Sequence, residues 1–289
     1  MRYREPVFRP PSESNSYLLP VTDGCSHNEC TYCAMYSTKT FSVRPLGEVL
    51  EDIAMAAETM PHTRRVFLLD GDALTLSAKK LIPILEALRE NFPHLQRVGS
   101  YANAISINNK SDEDLQRLRA LGLTIGYLGL ESGDEIVNDR IVKGATIDEQ
   151  VQAVRRAQAA GIKMSVMTLL GMGGRERSRE HAIATGQVLS RMDPRYISCL
   201  TVTPVEGTPL FQQVEEGSFE MITPDETLAE LELLLMNTDV SGAVFRSNHA
   251  SNYLPLGGRL PADKERLLEA VRSARAGEVE LKPEWMRGL

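Results

Sequence analysis

Ser16-Tyr17-Leu18-Leu19-Pro20-Val21-Thr22-Asp23-Gly24-Cys25-Ser26-His27-Asn28-Glu29-Cys30-Thr31-Tyr32-Cys33 joins a short apolar run to a loop dense in thiols. Residues 16–21 read as a strand, and the loop leaves its C-terminal end. Three of the chain's four cysteines fall here, spaced C-x4-C-x2-C. Soft thiolates concentrated in one loop point to a metal. Three readings are open from the residues alone. A structural zinc knot would take His27 or Cys199 as fourth ligand. A plant-type [2Fe–2S] site opens with this spacing but needs a later cysteine, and only Cys199, on a predicted strand far down the chain, could supply it. A cubane cluster on three thiolates would leave one iron without a protein ligand, free to bind a small molecule.

Outward from the loop, short β-rich apolar runs alternate with helical periods. Helices are expected over residues 45–60, 77–91, 111–121, 146–160, 177–192 and 224–236, and strands over 65–70, 96–101, 123–130, 163–170 and 196–203. Ser77 and Ser111 sit as N-caps, Gly122 and Gly161 as stops, and Thr146-Ile147-Asp148-Glu149 as a capping box. Six strand–helix units in a row, with connections long enough for parallel pairing, predict an α/β fold. Past residue 239 the alternation breaks into a loop or hairpin near 244–256, a helix over 261–274 and a polar tail.

Loops of unusual composition follow several strands: Asp70-Gly71-Asp72, Glu131-Ser132-Gly133 and Gly171-Met172-Gly173-Gly174. In parallel α/β folds the C-terminal strand ends build the active site. Glycines there admit a ligand close to backbone, and carboxylates can take an ammonium or hydroxyls. Net charge is −7 and the pI about 5.4, which carries no electrostatic footprint for nucleic acid. The N-terminus lacks a signal-like apolar stretch and no run is long enough to span a bilayer, so neither secretion nor membrane insertion is expected. The cysteines form no disulfide framework, which fits a reducing cytoplasm.

With these residues in place, the chain resembles the radical S-adenosylmethionine (SAM) superfamily over residues 16–236, most of all the branch shared by oxygen-independent coproporphyrinogen oxidases and methylthiotransferases. Its cysteine motif carries one residue more than the superfamily's C-x3-C-x2-C. The resemblance implies a partial (βα)6 TIM-like barrel over residues 1–238, including an N-terminal arm, with residues 239–289 as a C-terminal extension covering it. It implies that Cys25, Cys30 and Cys33 hold a [4Fe–4S] cluster and that Tyr32 packs near the adenine of SAM. Asp70-Gly71-Asp72 resembles the Gly-Gly-Glu segment that binds the methionyl amino group. Gly129 to Gly133 resembles the SAM-contacting end of the fourth strand, with Glu131 as the contact. Residues 169–174 resemble the adenine segment of the fifth strand, with Leu169 and Gly171 placed there.

Such a cluster would cleave SAM reductively to a 5′-deoxyadenosyl radical that abstracts hydrogen from a substrate. SAM would serve as cofactor or be consumed. A flavodoxin or ferredoxin is expected to deliver the electron. No auxiliary cluster or cobalamin domain is expected. The polar segment carrying Arg246, Asn248, His249, Asn252 and Tyr253 suits either a self-satisfied plug or a lid facing a small polar substrate. Arg155 and Arg156 suit a clamp on the SAM carboxylate or a solvated helix face. Cys199 reads as a buried strand thiol. The rival readings are a non-catalytic iron–sulfur or zinc protein on the same scaffold, and a radical SAM enzyme acting on tRNA.

Overall fold

The computed structural model describes residues 1–288. The strands are β1 (Tyr17–Pro20), β2 (Thr22–Asp23), β3 (Ser42–Val43), β4 (Arg65–Leu69), β5 (Arg97–Ala102), β6 (Leu123–Glu131), β7 (Lys163–Leu170), β8 (Tyr196–Thr201), β9 (Ala243–Ser247) and β10 (Leu256–Leu260). The helices are α1 (Leu46–Thr59), α2 (Ala78–Asn91), α3 (Ala104–Asn108), α4 (Asp112–Ala120), α5 (Glu135–Arg140), α6 (Ile147–Ala159), α7 (Gly174–Met192), α8 (Pro209–Glu215), α9 (Pro224–Met236) and α10 (Lys264–Arg275). One eight-stranded sheet runs β1-β4-β5-β6-β7-β8-β9-β10, and β2 pairs with β3. The architecture is an α/β partial barrel of the TIM type. The sheet exceeds the expected six strands because the segment past residue 239 adds β9, parallel to β8, and β10, antiparallel to β9.

The chain divides into two compact units. The first comprises residues 1–28, 35–128 and 152–164. Its ladder is parallel from β1 through β4 and β5 to β6. Val66 to Leu69 are buried in succession, as befits a parallel strand covered on both faces. Phe67, Tyr101 and Tyr127 meet edge to face on neighbouring strands. Glu13, fully buried, binds Arg97 and Tyr127 and anchors the N-terminal segment there. Arg2 ties the arm to Glu51 and Asp52 on α1. Ser111 caps α4 through the Asp114 amide, and Gly122 follows the helix at φ +110°. Ser77 precedes α2 as expected, but its side chain makes no capping bond.

The second unit comprises residues 29–34, 129–151 and 165–289. β7 and β8 run parallel in register from Ser165↔Tyr196 to Leu170↔Thr201. Thr146 and Glu149 exchange the reciprocal bonds of the expected capping box. Thr223 and Glu226 form a second box opening α9. The α7 helix begins three residues before the expected Arg177, which itself departs from helical geometry at φ −121°. Helices α3, α5 and α8 escape sequence periodicity because each is only 5–7 residues long, too short to repeat an apolar stripe.

Candidate active site

In the first unit the cysteine loop is pinned at its base. Gly24, at φ +75°, donates its N–H to Asp70 Oδ2 at 2.9 Å, and Gly71 N–H returns to Gly24 O at 3.1 Å. Lys39 Nζ reaches the same Asp70 oxygen at 2.8 Å. Burial pushes the Asp70 carboxyl up, with Lys39 and Gly24 opposing. Asp70 therefore fastens the loop. A Cβ on Gly71 would come 2.7 Å from Cys25 Cβ and 2.9 Å from Tyr36 Cε2, so glycine there admits the close packing of the first cysteine.

Asp72, only 1% exposed, is the centre of a polar cage. Its Oδ2 accepts from Ser26 Oγ at 3.1 Å, Asn103 Nδ2 at 2.7 Å and Ser106 Oγ. Lys110 binds Leu74 O and Ser106 O close by. Oδ1 is buried with no hydrogen-bond partner. Burial pushes the carboxyl up to about 6, against the pull of Ser106, Ser26 and Lys110. A buried acceptor left unpaired costs free energy that an incoming donor would recover.

In the second unit, Cys30 and Cys33 close a turn through Cys33 N–H to Cys30 O at 3.2 Å. Thr31 between them donates its N–H to Ile141 O and accepts from Leu210 N–H. Tyr32 and Leu169 pack against the apolar group of Val137, Ile141, Met172, Val202 and Leu210. Burial raises the Tyr32 hydroxyl well above its ordinary value, helped by the charges of Glu131, Cys30 and Cys33 and by a hydrogen bond to Glu131. Glu131 Oε1 accepts from Lys143 Nζ at 3.0 Å. Burial alone would lower the Lys143 ammonium, but Glu131, Cys30 and Cys33 outweigh it and hold it above its ordinary value. Glu131 sits at φ +61°, a region that a non-glycine residue enters at a cost. A Cβ on Gly129 would meet Glu131 Oε1, so the carboxylate folds back over Gly129 and a larger residue there would force it to shift.

The unit thus brings together Cys30, Tyr32, Cys33 and Glu131, with Leu169 in the same apolar group as Tyr32. It adds Lys143, which no sequence signal marks. Gly171, at φ +84°, donates its N–H to Glu230 Oε2 at 2.6 Å. The polar segment is largely engaged in holding itself. Asn252 accepts from Thr201 Oγ1 at 2.9 Å and donates to Cys199 O at 2.8 Å. His249 Nδ1 meets Ser251 Oγ at 2.9 Å. Tyr253 donates to Glu284 Oε2 and carries the Arg287 guanidinium 4.0 Å above its ring. Arg246 and Asn248 are exposed. Arg156, in the first unit, is taken up by Asp112, Lys110 O and Asn108 O. Cys199 is buried, accepts from Thr168 Oγ1 at 3.2 Å, and is pushed up to about 12 by burial.

None of the four cysteines is joined in a disulfide. Among the described residues, no three His, Cys, Asp or Glu side chains converge as ligands of one metal ion. Ligands of a cubane bind separate irons and need not converge on one point, so the three thiols fit that group on chemistry and spacing rather than on a preformed ion cage.

The parallel α/β sheet with a cysteine loop after its first strand defines a class, and comparison with known proteins agrees. The sequence profile of the Radical SAM superfamily matches residues 19–185, and the chain belongs to that superfamily, whose members use a [4Fe–4S] cluster and SAM. Among curated relatives, the biotin synthase of Methanococcus aeolicus is 23% identical over 221 residues, covering 75% of this chain and 65% of the relative. The chain spans just under two thirds of the length of that relative. Among solved structures, methylornithine synthase aligns with a TM-score of 0.53 at 18% identity, covering 78% of this chain and 63% of that one. Coproporphyrinogen III oxidase from Escherichia coli aligns at 0.56 with 12% identity, covering 76% and 51%. These structural likenesses establish the shared fold.

Proposed function

We propose that the chain is a radical SAM enzyme whose cluster is held by Cys25, Cys30 and Cys33 and whose SAM is seated by Asp72, Glu131, Tyr32 and the Leu169–Gly171 turn. The observation that carries this reading is the unpaired, buried Oδ1 of Asp72. It lies in the segment that resembles the methionyl-amine site, and it offers a carboxylate acceptor to an ammonium donor. When bound, the cluster supplies the electron that cleaves SAM and so the power to abstract hydrogen.

The chain's own residues orient and insulate. Asp70, Lys39 and Gly24 hold the base of the cysteine loop. Lys143 balances the negative charge of Glu131 and of the Cys30 and Cys33 thiolates. Tyr32 and Leu169 present an apolar floor suited to a flat base. The substrate is proposed to be a small polar molecule, met by the exposed groups Arg246 and Asn248, while Asn252 and Tyr253 keep the segment folded. A flavodoxin or ferredoxin is the proposed electron donor and the cytoplasm the proposed compartment. No described helix is long and apolar enough to cross a membrane.

Anaerobic reconstitution with iron and sulfide, followed by dithionite and SAM, tests the reading. The expected product is 5′-deoxyadenosine. Absence of that product, with zinc as the metal in protein as isolated, would instead make the chain a non-catalytic metal protein.

A further inference from the structure

Glu230 is a buried carboxylate, 1% exposed, on α9. Its Oε2 accepts from Gly171 N–H at 2.6 Å, and its Oε1 has no partner. Across from it on α7, His181 is equally buried, with Nε2 3.9 Å from Glu230 Oε2. His181 Nε2 lies 3.1 Å from Leu169 O, which can only accept, so Nε2 carries the proton. Nδ1 then accepts from Ser132 Oγ at 2.8 Å, and Ser132 Oγ accepts from Asp134 N–H. One imidazole thus braces the loop that follows Glu131 against the end of β7, from which Gly171 leaves.

We infer that Glu230 is a positioning residue: it sets the Leu169–Gly171 turn through Gly171 N–H, it competes with Leu169 O for the His181 Nε2–H, and it thereby tunes SAM binding. The SAM clause rests on the function proposed above. The competition follows from geometry. With Glu230 neutral, His181 keeps its proton on Leu169 O. An ionised Glu230 gains from every added donor; Ser178 already acts on it, and the one cationisable donor within reach, 3.9 Å from Oε2, is that same N–H. Turning the ring toward Glu230 takes one of the two donors held by Leu169 O, leaving it Met172 N–H at 3.3 Å, and so loosens the turn. Burial pushes Glu230 up to about 7, with Gly171 N–H and Ser178 opposing, and pushes His181 down to about 4. Glu230 therefore changes charge near neutrality beside a histidine that stays neutral.

Other charges around it are committed elsewhere. Glu226, one turn earlier on α9, pairs with Arg175 of α7. Arg272 and Arg275 of α10 pair with Glu232 and Asp225. Among the described residues, His181 is the one cationisable side chain within salt-bridge distance of Glu230.

The test is a pH series from 6 to 8 on the full chain, wild type against E230Q, whose amide keeps an acceptor for Gly171 N–H and cannot ionise. Hydrogen exchange of the peptide spanning residues 167–175 is read with the intrinsic pH dependence removed, and SAM affinity is read by calorimetry on the reconstituted protein. In wild type, exchange should quicken and SAM Kd should rise about fivefold as pH passes 7, a size typical of coupling between sites. Both should be flat in E230Q. Equal pH dependence in the two proteins overturns the inference. Should E230Q fail to fold, a wild-type exchange profile without an inflection between pH 6 and 8 overturns it equally. If SAM fails to bind at any pH, the functional reading falls, while the exchange series still decides whether Glu230 sets the turn.

Discussion

An Asp72→Asn variant should gain stability on the wild type as pH rises, while its grip on SAM weakens. The carboxyl is pushed up from 3.8 to about 6 by burial. Its folded pKa lies above its unfolded one, so the folded state binds the extra proton between those values. Stability attributable to this group is therefore highest in acid and falls as pH rises from about 4 to about 6 and beyond. At about 1.4 kcal/mol per pKa unit, the full loss is roughly 3 kcal/mol. Integrating the same linkage, about half of that loss falls between pH 5 and pH 8. Asn carries no such penalty, but its amide nitrogen in the place of Oδ1 leaves buried donors unmet, a cost independent of pH. The difference between two pH values cancels that fixed cost. Urea unfolding of wild type and D72N, at pH 5 and at pH 8, should show the variant gaining about 1.4 kcal/mol on wild type from the first pH to the second. Calorimetry with the reconstituted protein should show SAM binding about tenfold to a hundredfold weaker, as expected for loss of one charged hydrogen bond. A stability difference that does not change with pH would refute the buried-carboxylate argument. Unchanged SAM affinity would refute the role given to Oδ1.

Cys199→Ala should leave the iron content and the cluster's absorption spectrum unchanged, because the thiol is buried and engaged by Thr168. Cys30→Ala should lose the cluster, so iron analysis of the two variants side by side decides between three cysteine ligands and four. Gly129→Ala forces a Cβ into Glu131 Oε1. It should cost about 1–3 kcal/mol in thermal or denaturant unfolding and lower SAM affinity by breaking the Glu131–Lys143 pair. A variant that keeps both stability and affinity would show that Glu131 has another pose.

The helix and strand order was legible because its signals are local. The run 163–170 and the helix 224–236 lie where their composition places them. The capping box at Thr146 closes within three residues. The short helices carry no periodic stripe, and their caps at Asn103, Asp134 and Thr208 emerge only with the structure. The polar segment near residue 250 looked equally suited to binding and to packing. Its bonds to β8 and to the C-terminal tail settle much of it as packing.

Three thiols in one loop, and glycine-rich or acidic turns after successive strands, belong to the sequence by itself, because each is written in residues adjacent along the chain. The tertiary structure decided which carboxylates are buried and what faces them. Lys143 meets Glu131 across 12 residues, His181 meets Ser132 across 49, and Glu230 meets Gly171 across 59. Such pairings have no period and no spacing rule. They arise only when parallel strands bring distant loops to the same end of the sheet, where removal from water makes the partners of each charge decisive.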